Sequence, residues 1–396
     1  MSTRRSRRAL AGLAGAALAL TVLPATAVQA ATGSPAVPAP HLAPHRASHS
    51  APLSATERIQ DELARDTAVS LADSRWSAQL RAAALGSAAV DLHALSDRST
   101  APAGRRLEAA VADADQELAE AKGLDAGSGS LLRLRLADPS MRTALAKGVK
   151  PLVAAAVSDD NRNSVTAWDG AGRAHVLAAD KLPALPVYLI DIDTSKALTA
   201  GLDVLDRELA KLGVGTAAGS QKPTAPTGAA ASTDGVWTTR ITSIGLADDM
   251  EPWIKGGAEI YALVTGWGQD GVARVDTVQM PYLDDDGRTY YPNQVLVNWF
   301  SYKYNLADVV LMEDDGDTNY KELARAIAAA LLTLTDQGVY APLVDAVLAA
   351  IPDSWYTDDP DYVDSWYTLS RQDQGRRTGA SGNGWMTVEP YWVEQF

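Results

Sequence analysis

From Val236 onward the chain falls into short strand-like runs, the first dividing by alternation into two faces, and turn residues such as Gly, Asn and Asp separate them. Such a pattern cannot settle as helix; it predicts strands joined by tight turns. The runs are Trp237–Leu246, Glu259–Thr265, Val272–Met280, Tyr290–Phe300 and Ala307–Met312. In the first, Ile244 and Leu246 share one face. Turn residues separate them: Gly256-Gly257, Gly266 to Gly271, Asp286-Gly287 and Tyr304-Asn305. Successive antiparallel strands reverse direction. The loops after the first, third and fifth runs therefore fall at one end of the sheet.

Those three loops are acidic: Asp248, Asp249 and Glu251; Asp284, Asp285 and Asp286; Glu313, Asp314, Asp315 and Asp317. Carboxylates on neighbouring loops repel one another and raise each other's pKa values, and a divalent cation relieves this. Calcium suits such loops, because it takes six to eight oxygens at flexible geometry. The absence of Cys and the scarcity of His argue against zinc. The competing reading is plain turn chemistry, since Asp and Gly are common turn residues and Asp caps helices. Asp317 or Asn319 is placed to cap a helix over Tyr320–Leu334.

The net charge is −14, and the imbalance lies late: residues 236–396 carry 25 Asp and Glu against 10 Lys and Arg. That stretch also holds 8 of 10 Trp and 12 of 13 Tyr, whereas the earlier part is Ala- and Leu-rich. The acidic balance disfavours nucleic acid and anionic lipid as partners. The expected fold class is α+β: a helical N-terminal part with a small β-hairpin unit, then an antiparallel β-sandwich carrying an inserted helical hairpin. The expected divisions are a signal peptide (1–30), an Ala/Pro/His-rich tether (31–53), a helical and small β domain (54–212), a flexible linker (213–235) and the acidic domain (236–396).

Arg4, Arg5, Arg7 and Arg8 precede the apolar run Ala9–Leu23, and Val28-Gln29-Ala30 supplies small residues for cleavage. The pattern predicts export, with a secreted, extracellular product. No later apolar run is long enough to span a membrane. With no cysteine there is no disulfide framework, thiol nucleophile or thiolate metal site. His41, His45 and His49 are spaced by four, but the surrounding prolines oppose the helix that would align them.

Residues 54–148 read as helical. Ser54 and Glu57 form a capping box. A second helix runs near Trp76–Leu85 with Gly86 as its stop. A third places Leu107, Val111, Ala114 and Leu118 inward, with Gly123 at its end, and a fourth starts at Asp138-Pro139 and ends at Gly148. Residues 151–192 turn to strands at Leu152–Val157, Val165–Trp168, His175–Leu177 and Pro186–Ile192, with a hairpin turn at Asp169-Gly170-Ala171-Gly172. Asp159, Asn161 and Asn163 have alternating calcium-loop spacing but lack the loop's glycine and distal Glu. A helix is expected over Ser195–Leu212, capped by Gly213. The late helix is followed by a second over Ala341–Ala350, and Gly384–Val393 returns as a strand. The alternating aromatics and carboxylates of Trp355–Tyr367 read as a half-buried loop closing a core edge, or as a sugar platform.

The segments from Glu251-Pro252-Trp253 to Glu259-Ile260-Tyr261, Asp358–Tyr367 and Gly379-Ala380-Ser381-Gly382-Asn383 resemble a family of secreted bacterial proteins known as a domain of unknown function. The resemblance covers most of the chain from about Leu53, with the helix Ser195–Leu212 and its linker as local additions. It implies export and a shared architecture, and it transfers no activity. The strand–acidic loop–strand order is similar to C2-type sandwiches, an analogy of fold alone.

Two functions follow. One is a non-catalytic extracellular binding module with calcium on the acidic loops and an unknown partner or surface. The alternative is a secreted glycosidase-like hydrolase using two carboxylates from Glu259, Glu313 and the Asp358–Asp364 loop. There is no G-x-S-x-G elbow, H-E-x-x-H pair or phosphate-binding loop. Only His93 and His175 lie beyond the tether, so a His-dependent triad has little material. A third reading makes the helical part a prosegment or inhibitor.

Overall fold

A computed structural model describes residues 53–157, 162–216, 235–247, 259–285, 287–314, 316–351 and 362–394. Expectations placed on the signal peptide, the tether, Asp159 and Asn161, most of the linker, and residues 352–361 lie outside the described residues.

The described residues form eight α-helices and fourteen strands. The N-terminal part contains α1 (Ala55–Ser70), α2 (Ser74–Gly86), β1 (Ala89–Asp91), α3 (Leu92–Asp97), α4 (Pro102–Ala121), β2 (Leu132–Leu136), α5 (Arg142–Ala146), β3 (Leu152–Ala155), β4 (Ser164–Trp168), β5 (Ala174–Ala178), β6 (Val187–Ile192) and α6 (Thr194–Leu212). Both halves of the capping box are present: the Ser54 side chain accepts from Glu57 N, and Glu57 accepts from Ser54 N at 3.0 Å. Gly213 ends α6 in the left-handed region (φ 99°), where glycine carries no Cβ penalty.

Two strands interrupt the stretch read as helical. β2 is Leu-Arg-Leu-Arg-Leu, with its leucines buried and its arginines half-buried. That period of two is a strand signature, and the helices either side masked it. β1 pairs with β2, giving a six-stranded sheet in the order β1-β2-β6-β3-β4-β5, antiparallel except where β3 runs parallel to β6.

The later part comprises β7 (Gly235–Leu246), β8 (Ile260–Trp267), β9 (Ala273–Gln279), β10 (Gln294–Asn298), β11 (Leu306–Glu313), α7 (Tyr320–Leu331), α8 (Val344–Ala350), β12 (Tyr362–Ser370), β13 (Gly375–Thr378) and β14 (Gly384–Glu394). It builds two antiparallel four-stranded sheets, β10-β7-β14-β13 and β12-β11-β8-β9. The fold is thus α+β. The aromatic segment read as a loop is, over Tyr362–Tyr367, the first part of strand β12, paired to β11 with register shifts.

Between these two sheets lies one core, including Ile241, Ile244, Val264, Val309, Leu311, Val363, Met386 and Val388. The opposite face of β8, β9 and β11, through Tyr261, Leu263, Val275, Val310 and Met312, joins a larger core. That core also takes in α6, α7 and α8, the six-stranded sheet and α1 to α4. It therefore draws on residues either side of 217–234. Helix α6, expected as an addition, buries Ala197, Leu198, Leu202, Leu205 and Leu209 in it.

Candidate functional site

Strand direction brings the ends of β7, β9 and β11 to one end. Gly287 N donates to Leu246 O (2.9 Å), Met280 N to Ile260 O (2.8 Å), and Glu313 pairs with Ile260. Of the acidic residues expected at this rim, Asp248, Asp249, Glu251, Asp286 and Asp315 lie outside the described residues. Asp284 accepts from the Tyr290 hydroxyl (2.8 Å), and Asp285 is paired with Arg288 (2.5 Å). Glu313 is buried at the end of β11. Asp314 and Asp317 turn toward the N-terminal helices. Among the described residues no group of three or more His, Asp or Glu is placed to hold a metal ion.

The turn after β11 is a junction. Asp317 Oδ1 accepts from Ser54 Oγ (2.9 Å) and from Thr56 Oγ1, which fastens the start of α1 to it. Helix α4 is capped by Lys122, with Gly123 beyond it at φ 65°. Its last carbonyls are taken by the start of α7: Asn319 Nδ2 donates to Ala121 O (2.8 Å) and Tyr320 N to Lys122 O (3.1 Å). This docking satisfies groups a helix end leaves unpaired and carries the Lys122 side chain into the interior.

Lys122 Nζ donates to Asp314 Oδ1 at 3.0 Å and to Gly316 O at 2.9 Å. The Tyr320 hydroxyl donates to Asp314 Oδ2 at 2.6 Å. Both side chains of the Lys122–Asp314 pair are 0% exposed. An isolated charge there would cost several kcal/mol, so each ion depends on its partner and on these extra hydrogen bonds.

Glu259 stands beside this pair. Its carbonyl accepts from Asp314 N (3.1 Å), one step beyond the Glu313–Ile260 register, so the two carboxylate residues oppose each other across the ladder. The Thr194 hydroxyl donates to Glu259 at 2.9 Å. Burial pushes the Glu259 carboxyl up to about 7; the Thr194 hydrogen bond and Arg133 oppose the rise, and the charges of Asp314 and Asp193 add to it. A polar strip continues along β2 and β6, where Arg133 and Arg135 both reach Asp191, at 3.1 and 2.8 Å. The arrangement places a carboxyl raised to about 7 across the ladder from one end of the buried Lys122–Asp314 ion pair.

Sequence reasoning singled out Glu259, Glu313, Asp314 and Asp317. It missed Lys122, Tyr320, Thr194 and Arg133. A lysine just before a helix-ending glycine is ordinary helix chemistry, so the sequence carried no sign that Lys122 is buried.

A second polar feature lies on the outward face of β10-β7-β14-β13. Arg240 stacks over Tyr391 with 4.0 Å from guanidinium carbon to ring centroid, and Arg376 stacks over Trp385 at 3.9 Å. Arg240 also pairs with Glu389. Tyr391 and Arg376 are exposed; Trp385, Thr387, Glu389 and Arg240 are half-buried.

Residues 60–396 match the family described as "Protein of unknown function (DUF3103)", and the chain belongs to that family. No curated relative and no solved structure matches it.

Proposed function

We propose that this chain is a secreted, non-catalytic binding protein whose ligand surface is the outward face of β10-β7-β14-β13. The observation carrying this reading is the pair of guanidinium–aromatic stacks, Arg240/Tyr391 and Arg376/Trp385, on one solvent-facing row. Aromatic faces and arginines concentrate binding energy at recognition surfaces. Stacking restrains two long side chains in advance, so less entropy is lost when they engage a ligand. Along β14, Trp385 and Tyr391 stand about 20 Å apart at strand rise, which suits an extended polymer. The ligand class we assign is a polysaccharide: ring faces take the apolar faces of sugars, and Thr387, Glu389 and the arginines meet hydroxyls. The basic run Arg4–Arg8, the apolar run Ala9–Leu23 and the small residues before Ala31 support export. Retardation of the full chain in gels cast with soluble polysaccharides tests the reading; uniform mobility across a broad panel would remove it.

Calcium at the acidic rim belongs to the same proposal. Its support is the common end shared by β7, β9 and β11 and the carboxylates of their loops other than Asp314 and Asp317, which the N-terminal helices hold. Millimolar calcium, with magnesium as control, should raise the melting temperature of the full chain by several degrees if it binds the folded state. An unchanged melting temperature would leave plain turns.

The hydrolase reading is favoured by one observation, the Glu259 carboxyl held at about 7, in the range suited to a general acid. Reducing-end release from the same polysaccharides, lost in Glu259→Gln, would replace the binding reading with it.

A further inference from the structure

We infer that Lys122 and Asp314 are joined by an isopeptide bond that forms by condensation inside the folded protein. The residues are 192 positions apart, in a chain without cysteine. Such a link would constrain the unfolded chain as a disulfide does.

Four features of the site suit the reaction. The first is proximity: Nζ lies 3.0 Å from Oδ1 of the carboxyl whose carbon it would attack, and Gly316 O holds the amine by accepting a second hydrogen bond at 2.9 Å. The second is desolvation. In water the ammonium and carboxylate are each stabilised by hydration, and amide formation is uphill. Here both side chains are 0% exposed. Loss of hydration removes that stabilisation from both ions, and the neutral amine and carboxylic acid are the two reactants. The third is polarisation, supplied by the Tyr320 hydroxyl on Asp314 Oδ2 at 2.6 Å. The fourth is a proton carrier. Glu259 opposes Asp314 across the ladder, which puts the two carboxyls on the same face of the strand pair.

The step balances without an oxidant or co-reactant. The Nζ lone pair attacks Asp314 Cγ, forming the C–N bond. Glu259 gives its proton to the departing hydroxyl and recovers one from Nζ. The C–O bond breaks, one water leaves, and the product is a secondary amide between Lys122 and Asp314. Glu259 ends as it began.

Proteolysis of the purified full chain followed by tandem mass spectrometry decides the question. The expected product is a branched peptide containing residues 122 and 314, lighter than its two linear parts by one water. Asp314→Asn should yield a branched peptide of the same mass, because the same amide forms with loss of ammonia. Lys122→Arg should yield only linear peptides. Glu259→Gln, checked for folding by circular dichroism, should lose most of the branched product. Recovery of both linear peptides, unmodified, from folded wild-type protein would overturn the inference and leave a buried ion pair. Full cross-linking in folded Glu259→Gln would remove Glu259 from the step.

Discussion

The ring of Tyr320 occupies the space that a side chain at Gly201 would need: a Cβ there would come within 2.1 Å of the ring. Gly201 sits in mid-helix on α6, where alanine is ordinarily the better residue by about 1 kcal/mol. The usual sign should reverse here. Gly201→Ala must displace Tyr320, whose hydroxyl is bound to Asp314. We expect a loss of about 2 kcal/mol by urea denaturation. Equal or greater stability would mean that the helix backbone yields instead.

Asp364 anchors the turn between β13 and β14. Its carboxylate accepts from Ser365 N (2.7 Å), Ser381 N (2.8 Å) and Gly384 N (2.6 Å), and it is fully buried. A Cβ at Gly379 would come within 2.1 Å of that carboxyl. Asp364→Ala orphans three amides and should cost about 3 kcal/mol; Asp364→Asn keeps the shape and should cost about half as much. Thermal melts of the two variants check the order. Equal costs would show that the negative charge, which both variants lose, matters more than the acceptor that asparagine keeps.

These residues also show what could be read in advance. Asp358–Tyr367 and Gly379–Asn383 stood out as sequence, and within the described residues Asp364 joins the two segments. Strands β7 to β11 were legible because turn residues bound each run, with alternation marking β7 and near-continuous apolar residues marking β8 and β11. β2 alternates just as cleanly, yet it sits between helices and was absorbed into them. Of the acidic rim, the shared end of β9 and β11 was legible, because both pair antiparallel with β8; β7 lies in the other sheet, so antiparallel order alone does not place its loop. The partners of the rim carboxylates were not legible. Ser54, Thr56 and Lys122 reach Asp317 and Asp314 across some 190 to 260 positions, and no local pattern encodes contacts of that separation.

Stability should fall as pH rises through the range of Glu259. Its carboxyl ordinarily titrates at 4.5 and is pushed up to about 7 in the fold, mainly by burial. Between those values the folded chain holds a proton that the unfolded chain has released. Stability is therefore full below about 4.5 and declines up to about 7. Asp206, raised by burial to about 6, acts in the same direction over the lower part of the window. For Glu259, which retains some solvent contact, we expect about 1–2 kcal/mol. Denaturation midpoints from pH 4.5 to 7.5 should decline less in Glu259→Gln than in the wild type. Parallel curves would place the raised proton affinity elsewhere.

The outward sheet face makes the sharpest functional prediction. Trp385 and Tyr391 each carry a guanidinium at about 4 Å on the solvent-facing side of the sheet, where a stack either engages a ligand or stiffens the sheet. The two roles separate by substitution. Arg376 is exposed on β13, and Trp385 is half-buried on β14, whose inward residues Met386 and Val388 carry the core packing. Trp385→Ala should therefore leave the melting temperature within a few degrees while weakening polysaccharide retardation about tenfold, as expected for loss of an aromatic anchor. Arg376→Lys keeps the charge but loses the planar fork, and should weaken binding by a smaller factor. Val388→Ala should do the opposite, lowering stability by about 1–3 kcal/mol with little change in affinity of the folded fraction. If Trp385→Ala lowers stability as much as Val388→Ala and leaves retardation unchanged, the stacks are structural and the ligand surface lies elsewhere.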